Sequence, residues 1–142
     1  MCCDGNLFTQ VPLVADEAAR LRRRGLVVIE REDGSPALRQ RCGALEDRRC
    51  AAYEERPAGC QQYACMLHIA LAADELSLAE AQGLVAQAQR LLAAADAVLR
   101  PGPAAVMQRA RQALREGELG AEVSSAVEAA RRHLARHFQR DV

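Results

Sequence analysis

Lysine and tryptophan are missing from the chain, and aromatic residues make up only 3% of its 142 positions. Phe8, Phe138, Tyr53 and Tyr63 are the only phenylalanines and tyrosines, so the stacking platforms on which single-stranded nucleic acids are held are scarce. Every one of the 19 basic residues is arginine. GC-rich codon usage would produce the same bias, and no function is drawn from it. Positive charge is not concentrated in either half. Residues 1–65 carry ten arginines against ten aspartates plus glutamates, and residues 66–142 carry nine against nine. A general nucleic-acid binder shows a clustered positive excess, so nucleic acid is not an expected partner. The one basic concentration is Arg131, Arg132, Arg136 and Arg140, at the end of the last expected helix, where it complements the helix dipole on a solvated face. No apolar run approaches the roughly 20 residues of a membrane span, and no basic stretch leading into a hydrophobic one marks a signal peptide. The expected compartment is the cytoplasm, where thiols stay reduced and structural disulfides are rare.

Cysteine, too, is absent from the second half. All six cysteines lie between positions 2 and 65: Cys2 and Cys3 side by side, then Cys42, Cys50, Cys60 and Cys65 within 24 residues. A chain that confines its thiols to its front and leaves its long helical portion without any is using them locally. A metal site, a disulfide framework and chance are the three readings, and the metal site leads.

Half the residues are apolar, mostly alanine and leucine, a composition that favours helices over sheets. The chain is long enough for one domain with a modest core. Leu7 to Val14 alternates as a short extended segment, with Pro12 confining it to an edge or a loop. Asp16 is placed to cap a helix over Glu17 to Arg24 that ends at Gly25. Leu26 to Glu30 reads as a strand, Asp33-Gly34 as a turn, and a second strand is expected near Ala37 to Leu38. From about Leu67 to Leu99 the chain turns helical, a short helix followed by a long one capped by Asp74 or Ser77. The long helix has a stripe of Leu84, Ala88, Leu91, Ala95 and Val98, widened by Val85, Leu92 and Leu99. Arg100-Pro101-Gly102-Pro103 breaks it. A third helix is expected over Ala104 to Glu116, and a last over Ala121 to Arg140 with Val123, Val127, Ala130, Leu134 and Phe138 on its apolar face. Short connections imply antiparallel neighbours. The expected fold class is mainly α: a small irregular α+β, cysteine-rich front over residues 1–66, stabilised by metal, and a helical bundle over 67–142, together one compact domain.

Thiolates ligate zinc as Cys₄ or mixed Cys/His sets and hold iron–sulfur clusters in the same manner. Four such ligands arriving from separate segments can organise loops that lack a core. Thirty-eight residues separate Cys3 from Cys42, so a shared site would tie the N-terminus to the centre of the chain. The spacings match neither the two CxxC knuckles of a zinc ribbon nor the tight cysteine runs of bacterial ferredoxins. The identity of the metal therefore stays open between zinc and an iron–sulfur cluster.

The segment CGALEDRRCAAYEERPAGCQQYAC resembles the YkgJ-type cysteine-cluster family, also described as a zinc- or iron-chelating domain. That family shows a CxxCxxCC-like run, a C-x-x-L step, a C-x-x-Y-x-x-R-P-x-x-C core and, in some members, a further cysteine. Here Cys42 with Leu45 matches the second element, Cys50, Tyr53, Arg56, Pro57 and Cys60 the third, and Cys65 the last. Cys2-Cys3-Asp4-Gly5 resembles the end of the first run, whose CxxC portion has no counterpart because the chain starts at Met1. The resemblance covers about residues 2 to 67. It implies a metal held by Cys3, Cys42, Cys50 and Cys60, with Cys2 and Cys65 as accessory ligands. Within the core motif, Pro57 fixes the path of the backbone. Arg56 is placed to donate hydrogen bonds to sulfurs or carbonyls, and Tyr53 to serve as a packing lid.

Other candidates are weaker. His68 follows Cys65 and is available to a mixed site, but the plainer reading is the start of the next helix. His133 and His137 share a helix face, as paired ligands do, yet they stand among arginines and read as solvated. Asp4, Glu46, Asp47, Glu54 and Glu55 read as surface charges. No phosphate-cradling loop and no nucleophile with a nearby base can be picked out. The expected function is cytosolic metal binding in a structural, metal-handling or electron-transfer role. The alternatives are an enzyme or enzyme accessory that uses the cluster in protein or peptide modification, and a secreted disulfide-stapled protein. The Ala/Leu stripe on the long helices also suits a second copy of the chain or a protein partner.

Overall fold

The computed structural model of the chain describes residues 3–117 and 120–139. It is mainly α, with a small α+β portion at the front. The chain divides into two compact units, Met1–Tyr63 and Ala64–Val142.

The first unit is built on a three-stranded antiparallel sheet in the order β1-β3-β2, from β1 (Gln10–Pro12), β2 (Val28–Glu30) and β3 (Pro36–Arg39). Central Leu38 pairs with Val11 on one side and Val28 on the other. Pro12 stands at the end of an edge strand, where its missing N–H costs the ladder least. The β2–β3 connection is the expected Asp-Gly turn. Gly34 takes φ +76° there, and Asp33 Oδ1 accepts from the Ser35 N–H at 2.9 Å and the Ser35 hydroxyl at 2.6 Å.

Helix α1 (Ala15–Arg23) buries Ala18 and Leu21. A Leu side chain buried this fully contributes about 1.5–3 kcal/mol. The helix begins two residues earlier than Asp16 as its cap would require. Val14 is the N-cap residue, and Glu17 reaches back to accept its N–H at 3.1 Å, which is half of a capping box without a polar first member. Gly25 ends the helix at φ +77°. Its N–H bonds the Arg22 carbonyl and that of Leu26 bonds the Leu21 carbonyl, the paired closure for which a left-handed glycine is suited.

A two-residue hairpin follows, β4 (Leu45–Glu46) with β5 (Arg49–Cys50). Both turn residues are left-handed, Asp47 at φ 42° and Arg48 at φ 66°, where Asn-Gly is the usual solution. A 3₁₀ turn, Tyr53–Glu55, and the short helix α2 (Ala58–Gln62) complete the unit.

The second unit is all helical: α3 (Met66–Ala72), α4 (Leu78–Val98), α5 (Val106–Arg115) and α6 (Ala121–His137). Of the two cap candidates for the long helix, Ser77 is the one used. Its hydroxyl accepts from the Glu80 N–H at 3.2 Å, while Glu80 accepts from the Ser77 N–H at 2.8 Å. Asp74 instead closes α3, at φ 57°, with the Glu75 N–H on the Ala70 carbonyl. On α4 the buried line is Ala81, Ala88, Leu92, Ala95 and Leu99, and Leu91 and Val98 are only half-buried. The stripe is thus centred one position further on than Leu91 and Val98, on Leu92 and Leu99, and α6 is the principal neighbour of α4. Leu134, Phe138 and Ala130 are buried on the α6 side. Arg109 staples the proline-containing break by donating to the carbonyls of Arg100 (2.8 Å) and Ala104 (3.1 Å) and pairing with Asp96. Helix α6 ends at His137, and Arg140, expected as its last residue, lies outside the described residues. On its exposed face Glu128 pairs with Arg131 and Arg132.

Candidate functional site

Four separate segments of the first unit deliver a cysteine to one cavity of about 880 Å³, whose wall includes Cys3, Cys42, Cys50 and Cys60. Each is positioned by a different device. Cys3 is anchored through its backbone, its carbonyl accepting the Cys42 N–H at 2.8 Å, so the N-terminal segment and the centre of the chain are joined at the site. Cys42 is buried in the core with Leu38, Ala44 and Ala52. Cys50 ends β5, opposite Leu45. Cys60 rides on α2, which lies so close to β1 that a Cβ on Gly59 would meet Val11 Cγ1 at 2.8 Å. Glycine is therefore required at 59 by space rather than by backbone angle.

Glu17 sets where α2 begins. The carboxylate that caps α1 through Oε2 also accepts the Ala58 N–H through Oε1 at 2.7 Å, across 41 positions of sequence. No local signal announces this link, and Glu17 and Gly59 are the two positioning residues that sequence reasoning passes over.

The core motif departs from expectation in one respect. Tyr53 is 58% exposed and is not a lid. Its ring carries the Arg56 guanidinium at 3.5 Å, and Arg56 Nε donates to the Tyr53 carbonyl at 2.8 Å. This cation–π and backbone arrangement leaves Arg56 bound to a carbonyl rather than to sulfur. Phe8 and Tyr63 line the cavity as well, edge to face at 4.7 Å.

Burial, then the neighbouring thiols Cys3, Cys42 and Cys50, push Cys60 up to about 11, against a smaller opposing pull from Arg56. Cys3 is raised by burial and by Cys42 and Cys50. Cys42 is raised by burial, opposed by a backbone hydrogen bond at Ala44. Neighbouring thiols thus add to burial in raising Cys3 and Cys60. Among the described residues no aspartate, glutamate or histidine lines the cavity. Among the described residues no three His, Cys, Asp or Glu side chains are grouped closely enough to hold a metal ion as they stand. The donor set is nonetheless of the right chemistry, four thiols being the ligand complement of both zinc and iron–sulfur sites. The cysteines of the described residues are free thiols.

The remaining candidates fall elsewhere. Cys2 lies outside the described residues. Cys65 is the N-cap residue of α3 in the second unit, and His68 is exposed on that helix. The solvated reading of the histidine pair is corrected for His133, which is 9% exposed with Nε2 3.0 Å from the Leu84 carbonyl. The approach of α4 covers this position and its carbonyl satisfies the ring. His137 stacks on His133 with centroids 4.8 Å apart and is lowered by burial, then by His133 and Arg136.

Compared with models of known protein families, with curated proteins and with solved structures, the chain gives no significant match.

Proposed function

We propose that the first unit is a cytoplasmic metal-binding module in which Cys3, Cys42, Cys50 and Cys60 hold an iron–sulfur cluster or zinc, with Cys2 as an accessory ligand. The observation that carries this reading is the arrival of four cysteines from four segments on one cavity wall. Thiols crowded in this way raise one another's pKa, and a cation reverses that cost because a coordinating thiol is deprotonated outright. Such a site also supplies folding free energy to a unit with small elements and few large core residues. The four thiols are the ligand complement of either group: a cluster's cysteines bind different iron atoms, whereas zinc would take four sulfurs each about 2.3 Å from a single ion. With no carboxylate or imidazole in the wall, electron transfer, metal handling or a structural role fits better than acid–base chemistry.

Anaerobic purification followed by metal analysis and an absorption spectrum tests the proposal. Stoichiometric iron with broad visible absorbance would assign a cluster, and colourless stoichiometric zinc would assign the other metal. Serine at Cys42, Cys50 or Cys60 should abolish metal retention. Metal-free protein, with thiols either free or paired as disulfides, would overturn the reading.

A further inference from the structure

The same cavity has a second chemical character. Its charged lining consists of Arg48, Arg49 and Arg56, and no acidic side chain lines it. In a chain of zero formal charge this is a local departure. None of the ion pairs among the described residues involves these three arginines. Arg56 uses Nε on the Tyr53 carbonyl, which leaves its terminal N–H groups without a hydrogen-bond partner among the described residues. Arg48 and Arg49 are adjacent, and along a regular strand adjacent side chains would point to opposite faces. Arg48 stands instead in the left-handed turn, at φ 66°, a conformation that costs a residue with a Cβ about 1–2 kcal/mol, and both arginines line the cavity. The rest of the wall is largely apolar, with Phe8, Val11, Leu38 and Tyr63, and the volume of about 880 Å³ falls in the range of small-molecule pockets.

We propose that this cavity binds a small organic acid, its carboxylate taken by the forked guanidinium groups of Arg48, Arg49 and Arg56 and its apolar body lying along Phe8, Leu38 and Tyr63. Planar, bidentate donors match a carboxylate, and the apolar wall selects against a bare anion. The inference goes beyond the metal site and does not require it.

The test is calorimetric titration of the full chain with octanoate, with octanol and inorganic phosphate alongside, on protein as purified and after chelation. Metal content is measured on the same samples. Saturable one-to-one octanoate binding in either form is expected, at least about tenfold tighter than octanol or phosphate. The Arg48→Gln/Arg49→Gln double variant should weaken it by more than about tenfold, the consequence of losing charge-assisted hydrogen bonds, with an unchanged circular dichroism spectrum. Lysine at both positions should recover only part of the affinity. Octanoate binding without any metal would support this inference while overturning the metal reading. Three results would overturn the inference itself: no octanoate binding in either form, octanol or phosphate binding as tightly, or a double variant that binds octanoate normally.

Discussion

Cys60 is the residue on which the chemistry of the front unit is most legible. Its thiol is held at about 11 rather than the ordinary 9.0, and Cys3 and Cys42 are raised with it. A raised acid favours the protonated form in the folded state. The resulting stability is complete below pH 9 and is lost as pH climbs through 11, because the unfolded thiols ionise first. Metal-free protein should therefore denature at progressively lower urea concentrations across that window, with thiolate ultraviolet absorbance appearing at the transition. Serine at 60 should flatten the dependence. With no lysine in the chain, no side-chain ammonium group titrates over the same range. Gly59 makes a separate steric prediction. Alanine there drives its Cβ against Val11 and should cost about 1–3 kcal/mol, measured by chemical denaturation. The Gly59→Ala/Val11→Ala pair should lose less than the sum of its two single changes.

On helix α4, Ala88 and Ala95 are almost completely buried, as is Ala130 on α6, alongside buried Leu92 and Leu134. Leucine at Ala95 would enlarge the core yet should lower stability by about 1–3 kcal/mol, because added methylenes in a closed interface force neighbouring side chains off their rotamers. Thermal unfolding monitored by circular dichroism reads this directly, and an unchanged or raised midpoint would show that the interface is looser than described. The turns and caps of this unit were largely visible beforehand. Ser77 with Glu80 is a sequence-level start signal, and the Pro-Gly-Pro break ended α4 where expected. The centre of its apolar face was not, since periodicity reports which residues share a face but not which part of that face a partner covers.

The division after Tyr63 separates a unit with short strands and clustered thiols from one held by helix packing alone. If metal supplies folding free energy to the first, chelation should expose residues 3–63 to limited proteolysis. Most helical circular dichroism, which comes from the long helices of the second unit, should remain. Loss of all helical signal on chelation would mean that the two units do not unfold independently.

Local chemistry was written plainly along the chain. Helical content, the Asp33-Gly34 turn, the glycine stop at 25, the capping box at 77 and the grouping of thiols at the front all follow from the conformational preferences of a few neighbouring residues. Long-range folding supplied the rest. Glu17 reaches Ala58 across 41 positions, Gly59 is demanded by a strand far away in sequence, and buried His133 meets a carbonyl of another helix. These depend on through-space approach between segments, which no local propensity encodes.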